Sequence, residues 1–398
     1  MARRLDDGWW IVAGVFLVLC VSSGFGFYNL SVYISVLAAA RGFSVAEVSV
    51  AVSLFFVSGG VAGMGVARLI ERHDVRWVMI GGAALGGLAL ALVGSAGTLP
   101  ELYALFALFG AGNSAVSIVT ATALITRWFP GRNRSVALSI ASTGLSAGGI
   151  LLTPLSARLL SQWGVEAMMP WFGAAFFLLV LPIVLWVVRG HPPAPAAAAS
   201  ASAPEQPAWR YRDAVTSRFF VLVTLGYVLC MGSQVGSIAH LYNRAEQVAD
   251  FRVAALAIQT LTLASILGRF LGGWLVTRMA IRPFTLANVV GQGLGLMVVA
   301  TASGPVQVIA GALLFGCTVG NLLMLHPLWL ADAFGGRTYA SIFSLSNAVT
   351  VIGVASGPAL LGFVYDAAGY QSAYLVAVAG SAGALVLMAA AGRSPQPS

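Results

Sequence analysis

Long apolar segments recur along almost the entire chain, and their length limits the possible folds more than any other feature. A membrane-spanning helix needs about 20 apolar residues, and we count twelve such segments. They cover approximately residues 9–37, 45–70, 76–97, 100–128, 134–160, 167–189, 216–243, 252–277, 283–303, 305–331, 338–364 and 370–391. Within lipid, a helix satisfies all of its backbone polar groups internally. The sequence therefore predicts an all-α membrane protein with twelve transmembrane helices.

The composition agrees with a membrane protein and leaves little room for a soluble domain. The chain has 398 residues, of which 59% are hydrophobic and 9% are charged, whereas soluble domains carry about 25% charged residues. The net charge of +8 is not clustered on a basic, aromatic-rich surface of the kind that binds nucleic acid. We therefore expect a lipid bilayer around the protein and no nucleic-acid partner.

A tract rich in Ala, Pro and Ser separates the first six apolar segments from the last six. Residues 191–213, within GHPPAPAAAASASAPEQPAWRYRD, show no periodic apolar face and are typical of a flexible linker. This predicts an N-terminal six-helix bundle over residues 1–190 and a C-terminal six-helix bundle over residues 214–398. Two parallel repeats around a site near the membrane midplane are a known plan of transporters.

The basic residues are all arginine, and their distribution predicts the orientation of the chain. Sixteen arginines fall on the side that holds both termini and the linker, whereas Arg41, Arg158, Arg244 and Arg252 fall on the opposite side. Cytoplasmic loops of membrane proteins carry the excess of arginine. We therefore expect both termini in the cytoplasm, and a multi-pass protein of the cytoplasmic membrane.

Arg269 is the one charged residue in the interior of a predicted span, within TLTLASILGRFLGGWLV. Burying a guanidinium near the bilayer centre costs at least ~2.5 kcal/mol, and arginine cannot lose its proton to avoid this cost. The interiors of the spans offer no acidic partner, so we interpret Arg269 as the ligand of an anionic substrate. Structural hydrogen bonds to carbonyl or polar groups are the main alternative. A side chain that reaches the cytoplasm is disfavoured, because Arg278 already marks the helix end.

Residue patterns for catalysis, cofactors or metals are missing. Cys20, Cys230 and Cys317 lie in apolar segments without CxxC or metal-ligand spacing. Since the chain has no lysine, a Walker-type phosphate loop is impossible. We expect no enzymatic activity, no metal, no cofactor and a monomeric protein. A non-transporting membrane sensor is a remote alternative, because it would need a signalling domain or a long tail.

One loop motif follows the second predicted span. Its sequence, ARLIERHDVR, is similar to the signature GxLADRxGRR of the major facilitator superfamily of transporters. Ala67, Glu71 and Asp74 replace its Gly, Asp and later Gly, while Arg72 and Arg76 keep the basic positions. The corresponding stretch of the second half, GGWLVTRMAIRPFTLAN, has a related pair of arginines. The resemblance implies the major facilitator fold and transport by alternating access.

Three further motifs lie in or next to predicted spans. They are DGWW at residues 7–10, TRWFPGRNRSVALSIASTGLSAGGILLTPL at the passage from the fourth to the fifth span, and Gly268-Arg269 with Gly273 in the eighth span. Together they resemble the branch of monocarboxylate transporters and oxalate/formate antiporters. The resemblance implies that Arg269 binds the carboxylate of a small organic anion, and a monocarboxylate is the foremost candidate.

The sequence departs from this branch at positions that are linked to coupling and to a second anionic group. The animal monocarboxylate transporters have an aspartate at the position of Ser265 and a lysine in the first helix. The oxalate/formate antiporter has a lysine near Val349 and Thr350, where this chain has no cation. A single cation argues against a dicarboxylate and leaves proton symport and exchange with a counter-anion both open. Transport of a larger or neutral metabolite, vitamin or drug is the alternative function.

In the fold of this superfamily, the first, fourth, seventh and tenth helices line the cavity. The polar residues of these spans that we expect to contact the substrate are Tyr28, Asn29, Tyr33, Asn113, Gln234 and Asn321. Hydrogen bonding between helices is an equal alternative for each of them. His240 and His326 can change charge near neutral pH, so they are candidates for proton coupling. The alternative for both is a neutral hydrogen-bonding residue.

Overall fold

The computed structural model describes residues 2–129, 133–188, 209–335 and 339–395, and their regular secondary structure is helical. The helices are α1 (Ala2–Ser23), α2 (Asn29–Arg41), α3 (Val45–Arg72), α4 (Val75–Val93), α5 (Leu99–Ser114), α6 (Ile118–Trp128), α7 (Arg134–Trp186), α8 (Tyr211–Val215), α9 (Arg218–Val248), α10 (Phe251–Leu275), α11 (Ile281–Ala300), α12 (Pro305–Phe334) and α13 (Tyr339–Ala390). Ten stretches of the described residues are long and apolar enough to cross a membrane. The prediction of an all-helical membrane protein is therefore confirmed. Most of the predicted linker lies outside the described residues, as do Arg132, Arg189 and Arg337.

Two of the helices are much longer than a bilayer requires. α7 has 53 residues and α13 has 52, so each would extend over roughly 80 Å at 1.5 Å per residue. Each contains one residue with a non-helical backbone, Gly164 (φ 78°, ψ 169°) in α7 and Gly369 (φ 77°, ψ 172°) in α13. Glycine adopts positive φ because it has no Cβ that clashes. The two breaks coincide with the predicted loops after the fifth and the eleventh spans.

Two other predicted spans contain interruptions that the sequence analysis did not include. The first span consists of α1 and α2, which are joined by the π-helical turn Gly24–Tyr28. The fourth span is divided into α5 and α6 at residues 115–117, where the Ser117 hydroxyl accepts a hydrogen bond from the first turn of α6. Apolar periodicity does not reveal such breaks, because the residues on either side of them are also apolar.

The same sequence of helix starts occurs twice along the chain. Equal intervals of residue number separate the N-cap residues of three helix pairs, namely Ser44 and Asp250, Asp74 and Ala280, and Thr98 and Gly304. The repeat thus extends over α3 to α5 and α10 to α12. The assignment of the two repeats to separate six-helix bundles remains a prediction.

Arginines bond to the ends of neighbouring helices at matching positions of the two repeats. Arg76 at the start of α4 donates to the carbonyl oxygen of Val188 at 2.5 Å. Arg282 at the start of α11 donates to the carbonyl oxygen of Ala389 at 3.0 Å. Arginine side chains interact favourably with the free carbonyl groups at helix C-termini. These two arginines, which contribute to the charge asymmetry of the sequence, therefore also connect helices.

A second pair of arginines lies at the opposite end of the molecule. Arg41 donates to the carbonyl oxygen of Gly94 after α4 and forms an ion pair with Glu166 at 3.0 Å. Arg244 donates to three carbonyl groups at and just after the C-terminus of α11, at distances of 2.8–3.2 Å. We call this end, where α2 and α9 terminate, the arginine-poor end, since four arginines are assigned to it. The end where α3 and α10 terminate is the arginine-rich end.

Buried apolar side chains form two clusters at different places. The larger cluster extends over both halves and includes Ile238, Tyr242 and Tyr374 near the arginine-poor end of the second half. The smaller cluster, which contains Phe219 and Trp329, belongs to the second half at the arginine-rich end. In the described part of the chain, the two halves therefore share a continuous apolar core toward the arginine-poor end.

Candidate functional site

Arg269 lies on α10, closer to the arginine-rich end than to the middle of the helix. At 1.5 Å per residue, its Cα is about 9 Å from the end of the helix at Leu275 and about 27 Å from its start at Phe251. The side chain is partly buried. Arg269 is therefore placed deep enough to be shielded from bulk water and close enough to one end to be reached from it.

The guanidinium of Arg269 reaches from the second half of the molecule to the first. Its Nη1 is 3.4 Å from the carbonyl oxygen of Ser142 and 3.3 Å from the hydroxyl oxygen of the same residue, on α7. Gly320 on α12 leaves room for the side chain, because a Cβ there would lie 3.0 Å from Nε. Both hydrogen bonds are longer than the usual range of about 2.7–3.2 Å. A guanidinium has five N–H donors, so most of them remain available to a ligand.

The charge of Arg269 is not neutralised by a carboxylate of the described residues. The ion pair found among them, Arg41 with Glu166, lies at the arginine-poor end. Arg269 and the phenol of Tyr28 lie within electrostatic range of each other, and the Ser146 side chain lies near the same phenol. The neighbourhood of the guanidinium is thus formed by neutral hydroxyl and carbonyl groups.

Tyr28 is brought toward Arg269 by the irregular winding of the first span. It is the last residue of the π-helical turn and is buried. Its ring covers Gly149 of α7, where a Cβ would lie 2.7 Å from Cδ2. Single π-helical turns within α-helices are frequent at functional sites. Tyr28 is therefore the predicted substrate contact that the structure places beside Arg269.

The two serines next to this pair were missed by the sequence analysis. Ser142 and Ser146 are four residues apart, so they share one face of α7. They belong to the motif that served only for the resemblance, STGLSAGG. The spacing of the two hydroxyl groups on one helical face was the sequence feature that could have indicated these serines. The sequence does not show, however, that this face meets Arg269.

Asn29 and Tyr33 form a contact between the first span and α7. Both side chains are fully buried. The Nδ2 atom of Asn29 is 3.3 Å from the Tyr33 hydroxyl and 2.8 Å from the Ser156 hydroxyl. Neither side chain forms a hydrogen bond with Arg269 in this state. Their role as substrate contacts remains a prediction, and hydrogen bonding between helices is what the structure shows.

Asn113 and Gln234 differ in how their polar groups are satisfied. The Oδ1 atom of Asn113 accepts a hydrogen bond of 2.8 Å from the Ser22 hydroxyl, which links the fourth span to the first. Gln234 is buried on α9, and its Oε1 has no hydrogen-bond partner among the described residues. A buried amide oxygen without a partner is unusual. Gln234 therefore keeps a free acceptor for a ligand or water.

Asn321 lies on the same side of α12 as the contact with Arg269. Its Nδ2 donates to Asn288 Oδ1 at 3.1 Å, and its Oδ1 has no partner in the part of the chain that is described. The side chain packs against Gly272 of α10. Asn321 therefore connects α10, α11 and α12 about one turn away from Arg269.

The two buried histidines have different neighbours. His326 stacks on Tyr227 with a ring distance of 4.1 Å and forms a hydrogen bond of 2.9 Å with Ser346, so it contacts only the second half in these interactions. His240 lies near the arginine-poor end, and its Nε2 is 3.3 Å from the hydroxyl of Ser49 in the first half. Only His240 of this pair therefore connects the two halves by a hydrogen-bond contact.

Two cavities are separate from Arg269. A cavity of about 420 Å³ lies at the arginine-poor end, where Arg41 and Glu166 line it. A cavity of about 130 Å³ lies in the second half, where His326 and Asn347 are part of its lining. No group of three or more His, Cys, Asp or Glu side chains within the described ranges could hold a metal ion. The candidate site is accordingly defined by Arg269 and its neighbours.

Comparison with solved structures shows the fold. The chain superposes on a bacterial homolog of the human lysosomal transporter Spinster, in an inward-facing and occupied conformation, with a TM-score of 0.75 over 98% of each chain at 15% identity. It superposes on the nucleoside transporter NupG with a TM-score of 0.76 over 97% of this chain and all of that chain (100%), at 14% identity.

Two curated relatives agree with the resemblance found in the sequence. Monocarboxylate transporter 13 of Bos taurus is 27% identical over 395 residues, which are 93% of this chain and 86% of that protein. The oxalate:formate antiporter of Oxalobacter formigenes is 28% identical over 187 residues, which are 46% of this chain and 43% of the antiporter. The chain thus aligns with less than half the length of that antiporter.

A family model decides the classification. Residues 16–328 match the model described as Major Facilitator Superfamily, which is most of the chain. Together with the long apolar helices and the shared fold, this match identifies a multi-pass membrane transporter. The chain belongs to the Major Facilitator Superfamily.

Proposed function

We propose that this transporter moves a small organic anion, foremost a monocarboxylate, across the cytoplasmic membrane by alternating access. The observation that carries the proposal is the state of Arg269. Its guanidinium is partly buried, has no carboxylate partner among the described residues, and makes only long hydrogen bonds to Ser142. A carboxylate is the ligand that best matches the planar donors of a guanidinium. The substrate class also agrees with the names of the two curated relatives.

The position of Arg269 relates substrate binding to movement of the two halves. In the present state, the guanidinium of the second half bonds to Ser142 of the first half. A carboxylate that takes over these donors replaces a contact between the halves by a contact with the substrate. It also neutralises a partly buried charge, which lowers the cost of closing the site around it. The halves then move relative to each other around the neutral pair.

Tyr28 is the second residue to which we assign a substrate contact. Its hydroxyl lies within electrostatic range of Arg269 and near Ser146. A phenol that turns from Ser146 to the substrate donates a second hydrogen bond to the bound carboxylate. The other substrate contacts, in states of the transporter that open these helix contacts, are assigned to Asn29, Tyr33, Asn113, Gln234 and Asn321.

We propose twelve transmembrane helices in two bundles, 1–190 and 214–398, that are connected by the linker 191–213. The non-helical residues Gly164 and Gly369 support a reversal of the chain within α7 and within α13. With these two reversals, the ten apolar stretches become twelve spans. The distribution of arginine supports a cytoplasmic location of both termini.

The test is uptake of labelled mono- and dicarboxylates into proteoliposomes. Arg269→Ala is expected to reduce uptake of the preferred monocarboxylate by about 100-fold, because removal of a desolvated charge partner costs roughly 2–5 kcal/mol. Arg269→Lys keeps the charge but loses the planar pair of donors and is expected to recover only part of the uptake. Arg278→Ala is the matched control. Arg278 lies just after the C-terminus of the same helix, and its Cζ is 3.9 Å from the centre of the Trp274 ring.

Three outcomes distinguish the alternatives. Full uptake by Arg269→Ala, or transport of neutral compounds but of no anion, would overturn the anion proposal in favour of a larger or neutral metabolite. Accumulation driven by an inward proton gradient indicates symport. Uptake that requires a preloaded anion indicates exchange.

A further inference from the structure

Polar contacts join the two halves at the arginine-poor end. Three of them contain a titratable side chain of the second half, and we call these three contacts the latch. They connect Ser35 Oγ with Glu246 Oε2 at 2.6 Å, Ala46 N with Asp366 Oδ2 at 3.0 Å, and Ser49 Oγ with His240 Nε2 at 3.3 Å. The apolar core that the halves share lies toward the same end. The latch therefore closes the molecule at the arginine-poor end in this state.

The hydrogen bonds around His240 determine which form of its ring the latch contains. The ring is completely buried, and its Nε2 is 3.0 Å from the carbonyl oxygen of Pro358 and 3.3 Å from Ser49 Oγ. A carbonyl oxygen only accepts hydrogen bonds, and the Ser49 hydroxyl already donates to Val45 O at 2.6 Å. Nε2 must therefore carry a hydrogen. Nδ1, at 3.4 Å from the Tyr370 hydroxyl, is left to accept.

A second proton on His240 does not fit this arrangement. It would place a hydrogen on Nδ1, which now accepts from Tyr370, and a full positive charge in a site without solvent contact. Burial of a charge without a dedicated partner is strongly unfavourable. The closed latch thus contains neutral His240.

The charged and titratable groups that surround this site come from several helices. On α13, Asp366 interacts electrostatically with His240, and Asp366, Tyr365 and Tyr374 interact with Tyr370. On α9, Glu246 interacts with Tyr370 and Arg244 interacts with Tyr374. On α3, Glu47 is engaged in the capping box of its own helix.

Asp366 differs from the other groups on α13 because it is hydrogen-bonded directly to the first half. In the closed latch, its carboxylate accepts a hydrogen bond from the first turn of α3 in the other half. Helix N-termini attract such negative charge. When the halves separate, the carboxylate of Asp366 loses its hydrogen bond to the N-terminus of α3. It can then pair with a cationic side chain of the second half.

We propose that His240 is a proton-binding site whose protonation opens the latch at the arginine-poor end. Neutral His240 holds the halves together through Ser49. The imidazolium is stable once the halves separate, where water reaches the ring and Asp366 is released to pair with it. His326 does not have this function, because its hydrogen bond and ring contacts lie within the second half.

This proposal deepens the proposed function. Only the use of the proton in transport rests on that function, whereas protonation of His240 and opening of the latch do not. With the arginine-poor end outside the cell, acid outside the cell favours the state that is open to the outside. The proton that opens the latch then accompanies the anion on Arg269. A proton and a monocarboxylate together carry no net charge across the membrane.

The test measures opening of the arginine-poor end by electron spin–spin distances in lipid nanodiscs, without any substrate. Nitroxide labels are placed on Ser95→Cys and Thr301→Cys, two exposed positions of that end in the first and second repeats, in a protein whose native cysteines are replaced by alanine. On changing from pH 8 to pH 5, we expect the ratio of long to short distances to rise about tenfold, as a shift of ~1.4 kcal/mol would produce. His240→Gln keeps hydrogen-bonding groups but cannot become charged, so the short distance should persist at both pH values.

Two further variants keep the test decisive if His240→Gln folds poorly. Ser49→Ala removes the partner of the ring in the other half, so the long distance should already increase at pH 8. His326→Gln is the matched control, and it should respond to pH as the labelled parent does. A parent without a pH response, or a pH response that persists in His240→Gln, overturns the proposal. Since no anion is present, neither outcome depends on Arg269.

Discussion

At the scale of single residues, arginines of this protein have two different environments. Arg41 and Arg244 donate to carbonyl groups at helix ends, and Arg41 also has a carboxylate partner. Their donors serve to connect helices. Arg269 has only the long contacts with Ser142. The comparison within one molecule thus favours a ligand-binding role for Arg269.

Tyr28→Phe tests the smallest change at the site. The variant keeps the ring that covers Gly149 and removes the hydroxyl beside Arg269. We expect KM for the transported carboxylate to rise about 10-fold with little change in maximal rate, because a hydrogen bond to a charged group contributes roughly 1.5 kcal/mol. The measurement is the concentration dependence of proteoliposome uptake.

Tyr339→Phe is the matched control for this change. The Tyr339 hydroxyl donates to the carbonyl oxygen of Pro327 at 3.1 Å, and Tyr339 is not among the residues assigned to the substrate, so KM should stay near that of the unaltered protein. An unchanged KM in Tyr28→Phe would remove Tyr28 from the site. An equal rise of KM in both variants would show a general effect of losing a tyrosine hydroxyl and not a contact of Tyr28 with the substrate.

At the scale of helices, close packing of α10 against α12 determines where Arg269 points. Gly268 and Gly272 of α10 lie directly against Cys317 and Asn321 of α12, so neither position has room for a Cβ. Gly273, the third glycine of the same motif, has no atom within 4 Å of its missing Cβ position. The sequence alone could not rank these glycines, because spacing shows a small-residue face and not the distance to the partner helix.

Gly268→Ala should therefore be harmful, whereas Gly273→Ala should be tolerated. The added methyl group at residue 268 meets the Cys317 carbonyl oxygen and forces α10 and α12 apart. Overpacking of this kind costs about 1–3 kcal/mol, and it displaces the neighbouring Arg269. We expect a lower thermal unfolding temperature in detergent and reduced uptake for the first variant only. Equal stability and uptake of both variants would show that this helix contact does not position the site.

At the scale of the whole molecule, the chain repeats one helix pattern twice, yet the two halves meet unequally. The shared apolar core and the latch lie toward the arginine-poor end, and the second half has its own separate core at the arginine-rich end. The contact between Arg269 and Ser142 connects the halves away from the latch, on the side of the arginine-rich end. A molecule joined mainly at one end can exchange these contacts for others, which is what alternating access requires.

The number of spans can be tested by the side on which the long helices reverse. Gln162 and Gln371 are exposed and lie beside Gly164 and Gly369. If α7 and α13 each cross the membrane twice, then Gln162→Cys and Gln371→Cys, in a cysteine-free protein, should react with an impermeant maleimide added outside intact cells. Ser394→Cys, near the C-terminus, should react only after permeabilisation. Equal protection of all three cysteines would contradict twelve spans with cytoplasmic termini.

Much of the architecture followed from residue type and order. Apolar segments longer than a bilayer requires leave helices as the available structure, and the motifs around Arg72, Arg76 and Arg269 led to the superfamily that the family model confirms. The helix interruptions did not follow. The π-helical turn before α2 and the break between α5 and α6 both lie within apolar sequence. There, the periodicity of apolar residues is the same for one continuous helix and for two.

The sequence by itself determined that the chain is a helical membrane protein, because hydrophobic length acts locally along the chain. Its motifs also resembled those of this superfamily. It also singled out Arg269, since a charge in an apolar span is visible without coordinates. Only the tertiary structure decided that Tyr28 and Ser142 surround Arg269, and that His240 rather than His326 joins the halves. The physical reason is that helical periodicity shows which side of a helix is buried, whereas the partner of that side comes from packing between segments far apart in the chain.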